Sequence, residues 1–376
     1  MKLPDREVLR GTVRYAFYIF GLNALLIYAV VHLSRIEPTI FAVGLGLGIP
    51  FLVQGVVFFM PALAPMRPWP ILLVSLVLLV LFFFCRNFWM ASLLYAAVRL
   101  LLVGLVGRIL PREVMEKKIR HFMNLWGGVV ALAASSLLLM SAPPVLPGTC
   151  FFCFLFVFIL SLGVRLKPRE NPGRRSASGG ARLPWSSLWR IGAILFLILQ
   201  TAGVALLNLE CFAGGSGGLE RIQAGGLCLG FFLLGVNLGK VSWHPISLRL
   251  RGGFPYKISL FAPGFMLLLL GEISSLELFV PFLVIAGAFL GLQETAFFAV
   301  LKVLEKEKFS SVYSACQMVV TWVLFFALVI FGLLQDCYPG QRELLFPAVA
   351  GIMILSATGE FIRCRMLEKS YQTLNS

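Results

Sequence analysis

The chain has 376 residues, of which 59% are hydrophobic and 13% charged, and its mean hydropathy is +0.91. No ordinary soluble domain carries so much apolar surface, so a soluble globular protein is excluded. A net charge of +15 would suggest nucleic acid in a soluble protein; in so apolar a chain it points to basic loops at a lipid surface, with no nucleic-acid partner.

The start, MKLPDREVLRGTVR, mixes both signs of charge and leads into an apolar run long enough to stay as a first span, so no cleavable signal peptide is predicted. A spanning helix needs about 20 mainly apolar residues to cross a core about 30 Å thick. Twelve such stretches follow one another at 11–32, 39–60, 69–85, 87–107, 122–141, 147–165, 188–208, 222–239, 255–271, 276–300, 311–334 and 343–362. They leave short loops and no room for a separate soluble domain.

The basic residues set the orientation. Of 32 Lys and Arg, 27 precede the first stretch or lie around the loops after even-numbered ones. Arg35, Arg86, Arg221 and Arg342 fall on the other side, and Arg99 lies inside a stretch. Positively charged loops are retained in the cytoplasm, so both termini are predicted there. Tight loops without tails point to a bacterial inner membrane and a monomeric multi-pass protein.

The longest polar stretch is KPRENPGRRSASGGAR, from Lys167 to Arg182. Its Pro, Gly, Ser and Arg content predicts a flexible linker over 166–187. The chain then divides into an N-terminal six-helix bundle (1–165) and a C-terminal one (188–376). Each half has an even number of spans, so the two are parallel repeats. Around the fourth span, AAVRLLLVGLVGRILPRE places Arg99 ahead of glycines. This six-plus-six layout and this motif resemble the major facilitator superfamily. Three departures are visible. Gly104 lies five residues after Arg99 rather than four, and the loop GVVFFMPALAPMRPWP between spans 2 and 3 keeps Gly55 and Arg67 but lacks the family's Asp. Span 5 also lacks the Gly-Pro element of the drug/proton antiporter branch.

The resemblance implies an all-α, pseudo-symmetric fold in which spans 1, 4, 7 and 10 line a central cavity and spans 3, 6, 9 and 12 face lipid. Polar residues follow that division. Spans 3, 6 and 9 hold little beyond single serines, as lipid exposure requires; span 12 is less clean, with Ser356, Thr358 and Glu360 towards its inner end. The cavity spans carry Asn23, then Tyr95 and Arg99, then Gln200, Thr201 and Asn208, then Gln293 and Glu294. Ser92, Tyr95 and Arg99 share a helical face, as do Gly287, Gly291 and Glu294, where glycines permit close helix approach or leave room for a ligand.

A charge inside the bilayer is costly and faces a cavity or a partner. Arg99 is therefore read as an anion-recognising group, since guanidinium stays charged and grips a carboxylate or phosphate with two bonds; the alternative is a structural pair or carbonyl contact. Glu294, read as the only carboxylate well inside a span though nearer its inner end, is either a proton-coupling site, a salt bridge with Arg99 or a cytoplasmic gate. Asn23, Tyr95, Gln200, Thr201, Asn208 and Gln293 could bind a polar solute or join helices. Asp336 and Cys337 are assigned to an external loop, and Glu210 to an outer helix end.

Cys150 and Cys153 lie on one helix, where disulfide geometry is rare, and Cys85, Cys211 and Cys337 near the outer face are read as packed thiols that could pair. His32, His121 and His244 are scattered, and no metal or cofactor is predicted. No cluster of His, Asp or Glu suits an enzyme at the membrane face. The predicted function is a secondary carrier that moves a small organic solute by alternating access with a coupling proton, in contact with membrane lipids. The alternative, favoured by 34 phenylalanines, is a lipid or lysolipid flippase of the same architecture.

Overall fold

The computed structural model describes residues 6–59, 68–109, 145–162, 188–213, 218–249, 254–273, 275–304, 309–338 and 342–375. These residues form eleven helices: α1 (Arg6–Ile36), α2 (Ile40–Phe59), α3 (Pro68–Phe84), α4 (Phe88–Ile109), α5 (Val145–Leu162), α6 (Leu188–Ala213), α7 (Gly218–Arg249), α8 (Phe254–Glu272), α9 (Leu276–Leu304), α10 (Phe309–Cys337) and α11 (Arg342–Asn375). In hydrocarbon no water pairs with the backbone, so apolar runs of this length satisfy their own N–H and C=O groups as helices. Eight of the described helices are long and apolar enough to cross a membrane, and Trp69–Phe84 and Pro147–Leu162 are apolar but shorter. The chain is a multi-pass membrane protein. The fifth predicted span, the linker over 166–187 and His121 lie outside the described residues.

Side-chain contacts fix the direction of every helix. Tyr18 and Leu22 of α1 meet Leu102 and Arg99 of α4, so these two run oppositely. Gly21 of α1 faces Cys153 and Phe154 near the middle of α5, while the Phe17 ring packs at a tilt against Phe156. Gly203 and Gly192 of α6 face Met353 and Arg363 of α11, again antiparallel. By contrast, α7 and α9 run side by side in one direction, with Gly235 at Val284 and Gly239 at Ala288. The start of α1 and the end of α11 therefore share a face, here the near face. The links α1–α2, α3–α4 and α10–α11 lie at the far face. Helix α4 ends at the near face and α5 begins at the far one.

The helices pack around three apolar clusters. One belongs to α1–α5 alone and centres on Tyr18, Leu25, Phe82, Tyr95 and Leu102. A second, of Phe196, Tyr256, Phe297, Leu301 and Cys316, contains only residues of α6–α11 and lies towards the near face. The third joins the two sets: Val30, Val43 and Leu47 pack with Leu209, Phe212, Leu328 and Phe346 in the far half. The main contact between the sets is the antiparallel pair α2 and α10. Near the far face a Cβ on Gly44 would stand 2.5 Å from the Leu328 carbonyl oxygen, so backbone touches backbone. Towards the near face the Trp322 indole fills the space beside Gly55 and keeps the two helices apart.

The expected lipid faces are present on α3 and α5, which turn Val77, Leu81, Phe84, Phe152 and Ile159 outward. For the predicted spans 9 and 12 (α8 and α11) the expectation needs correction. Phe265 and Leu355 are exposed, but the opposite faces bury Tyr256, Ser259 and Glu360. Each of these helices also packs against its neighbour through polar groups. Helices α7 and α11 extend beyond their predicted spans, 222–239 and 343–362, because a helix continues past the apolar run once its ends reach polar surroundings.

Candidate functional site

Arg99 occupies the middle of α4, eleven residues from its far end, or about 17 Å along a helix about 33 Å long. That is mid-depth in a bilayer core. Its Nη1 donates to the Leu22 carbonyl of α1 at 3.4 Å, while its buried Nε has no partner. No acidic side chain is bonded to it among the described residues. One turn towards the far face, Tyr95 is fully buried, stacked on Phe82 with ring centroids 5.6 Å apart, and its hydroxyl is unpartnered. One turn the other way, the Tyr18 hydroxyl donates to the Leu102 carbonyl. Ser92 donates to Phe88 on its own helix at 2.8 Å. Asn23, beside Leu22 on α1, turns its amide back to the Ile19 carbonyl at 3.0 Å. The seam between α1 and α4 thus holds a permanent cation and a phenol with unused hydrogen-bonding capacity. Such groups bind an anionic or strongly polar solute.

In the C-terminal helices the predicted residues separate. Gln200 is a helix-to-helix tie: its Nε2 donates to the Met353 carbonyl and to Ser356 Oγ of α11, both at 2.9 Å. Thr201 is buried on the same helix. Asn208 is buried with Oδ1 unpartnered, and Gln293 of α9 is buried with Nε2 unpartnered. A buried amide without a partner is the kind of group that a bound polar solute would satisfy.

The salt-bridge alternative for Glu294 needs correction. It does not pair with Arg99; its Oε2 lies 2.8 Å from Lys240 Nζ of α7, and both side chains are partly exposed, at 40% and 31%. It stands 18 residues from the far end of α9, about 27 Å along the axis, near the edge of the hydrocarbon rather than at its centre. The pair sits where α7 and α9 touch backbone to backbone. A Cβ on Gly291 would overlap the Val236 carbonyl, and one on Gly239 the Ala288 carbonyl. The predicted close-approach role of Gly287 and Gly291 is realised there.

Glu294 is also not the only carboxylate inside the helices. Glu360 of α11 is 2% exposed, and Glu210, at the outer end of α6 as expected, is buried there at 1% exposure rather than solvated. Glu360 is held on several sides. Arg363 donates through Nε to Oε2 at 2.6 Å and through Nη2 to Oε1, and the Tyr256 hydroxyl of α8 donates to Oε1 at 2.8 Å. The spacing of Glu360 and Arg363, one helical turn apart, is the sequence signal that could have revealed this pair. Tyr256 carried no such signal, since it lies 104 residues away. Asp336 belongs to the last turn of α10 rather than to a loop, and its carboxylate reaches the start of α2. His32 bonds the Cys85 carbonyl at 2.9 Å, and all eight cysteines are free thiols.

Comparison with solved structures places this architecture. The nucleoside transporter NupG superposes with a TM-score of 0.71 at 13% identity, over 96% of this chain and 99% of that one. A bacterial metal transporter gives 0.66 at 14% identity, over 96% and 100%. A bacterial homologue of the human lysosomal transporter Spinster, in an inward-facing and unoccupied conformation, gives 0.63 at 15% identity, over 94% and 95%. The chain has the fold that these transporters share. No family model matches the sequence and no curated protein is similar to it at a significant level. Likeness at this identity concerns the fold, and it extends over nearly the whole chain.

Proposed function

We propose that this chain is a secondary active carrier, not an enzyme, that moves a small organic solute with an anionic group across a bacterial inner membrane. Two six-helix bundles, 1–165 and 188–376, joined by the linker 166–187, rock about a central site, with both termini in the cytoplasm and the monomer as the working unit. The near face is then cytoplasmic. Joining of the two helix sets in the far half, with a near-half cluster of α6–α11 residues alone, fits a state open to the cytoplasm.

The observation that carries this reading is Arg99, a mid-depth guanidinium with no acidic partner among the described residues, beside the unpartnered Tyr95 hydroxyl. Arg99 fixes the anionic group of the solute. Asn208, towards the far face, and Gln293, towards the near face, offer polar contacts along the path of the solute, and Glu294 carries the coupling proton, whose arrival neutralises it and frees Lys240. Gln200 serves the helix packing.

The test is a thermal-shift screen of the purified protein against nucleosides, organic acids, peptides, metal ions and lysolipids. Proton-driven uptake of each hit is then measured in proteoliposomes. A soluble anion that stabilises the wild type but not Arg99→Ala is the expected result. Stabilisation by lysolipids alone, undiminished in Arg99→Ala, overturns it in favour of a flippase.

A further inference from the structure

The strongest unexplained polar contact outside the site joins the two helix sets at the far face. Asp336, in the last turn of α10, accepts the backbone N–H of Ile40 at Oδ1 (2.9 Å) and that of Phe41 at Oδ2 (2.7 Å). Both amides belong to the first turn of α2, where a helix has no partners of its own for its N–H groups. The cap comes from a residue 296 positions away, on the other helix set. It also places a negative charge at the positive end of the α2 dipole.

The neighbouring backbone is shaped for this contact. A Cβ on Gly332 would stand 3.0 Å from the Ile40 carbonyl oxygen, and one on Gly44 would press on the Leu328 carbonyl. The Thr39 hydroxyl accepts from Ala42 at 3.2 Å, not from Ile40 or Phe41. The first two amides of α2 are thus left to Asp336. Any opening of the far face must part α2 from α10 here, breaking two charge-assisted hydrogen bonds to amides that face water once released.

We propose that Asp336 is a clasp on the far side of the carrier, which holds the helix sets together in the state closed to that face and must release before that face can open. The inference rests on the alternating-access reading above and adds to it the element that sets the balance between the two states. The clasp needs no solute, so it biases the resting equilibrium of the empty protein. An N-terminal cap removed from a helix changes an equilibrium roughly 2- to 30-fold, which is the size of shift expected in the ratio of far-open to far-closed molecules.

The experiment is a spin-label distance measurement on the full chain in lipid nanodiscs, without solute. Labels are placed at Glu37→Cys and Glu277→Cys, exposed positions on opposite helix sets at the far face, with Cys85, Cys337 and Cys364 changed to Ser. Wild type is expected to show a dominant short distance and a minor long one. Asp336→Ala shifts the ratio towards the long distance by the stated factor. Asp336→Asn, which keeps one acceptor without the charge, lies between, and Asp336→Glu remains closest to wild type. Hydrogen exchange over 39–44 provides a second readout, accelerating in the same order. Two distances whose ratio is unchanged in both Asp336→Ala and Asp336→Asn overturn the clasp and leave alternating access standing. A single distance in every variant overturns the rocking itself, and the clasp with it. If Asp336→Ala does not fold, the Asn variant alone decides, since it preserves size and one hydrogen bond.

Discussion

Arg99 and Glu360 are both charges on predominantly apolar helices, yet their surroundings differ. Glu360 is bonded to Arg363 and to Tyr256 from a second helix. Arg99 has one long bond to a carbonyl, a free Nε, and an unbonded phenol one turn away. A buried charge whose bonds are filled by its own protein has spent its binding capacity on the fold. One left partly unfilled keeps that capacity, and the proposed role of Arg99 in solute binding draws on it. The comparison separates structural from functional charge by counting the bonds each group still lacks, not by depth or sequence position.

Substitutions test that division, and stability is the axis on which they should fall in order. Glu360→Ala should have the largest effect, because it leaves the Arg363 guanidinium buried without its carboxylate; breaking one side of a buried pair costs about 3–5 kcal/mol. Thermal unfolding in detergent measures it, and a loss below about 1 kcal/mol would break the comparison from the structural side. Gln200→Leu removes both donors between α6 and α11 at similar volume, and interhelical hydrogen bonds in membranes place that loss at about 1–2 kcal/mol. Solute binding should be little altered, which a retained thermal shift on adding solute would register.

Arg99→Ala should fall near the lower end of that order. It forfeits one 3.4 Å bond, so stability should change by less than about 1 kcal/mol while transport is lost. Arg99→Lys keeps the charge without the planar fork, and full activity there would argue against two-point recognition of the solute. Glu294→Gln is expected to be mildest for the fold, because the Lys240 pair is partly exposed and such pairs contribute about 0–1 kcal/mol. Its effect should appear in coupling: uptake driven by a proton gradient fails while solute exchange persists. Unaltered proton-driven uptake would remove Glu294 from the mechanism and leave its pair with Lys240 a structural one.

Much of the fold was legible residue by residue. The apolar runs that became α1, α2, α4, α6, α7 and α9–α11 are long enough to cross a membrane, and Arg99 stood out because guanidinium is rare there. The glycines at 287 and 291 announced close packing by their spacing, which the contact with α7 realised. Other features left no such trace. Nothing in the local sequence ties Tyr256 to Glu360 or Asp336 to Ile40, because those bonds join residues more than 100 positions apart. Lys240 read as one basic residue among many on the near side, and only helix packing set it against Glu294. For the same reason the lipid-facing reading of the ninth and twelfth spans was half right: composition gives a helix its average exposure, not the partner that covers one side.

The sequence by itself determined that this chain lies in a membrane, that its helices alternate in direction, and that a charge is held at mid-depth on α4. These follow from local rules: the cost of unpaired backbone in hydrocarbon, the length of apolar runs and the placement of lysine and arginine. Tertiary structure alone decided which charges are satisfied and which are spare, that α2 and α10 form the seam between the helix sets, and that Asp336 closes its far end. Those outcomes depend on which helices become neighbours and in what register. That is set by glycine contacts and side-chain packing summed over the whole bundle, and no single segment contains it.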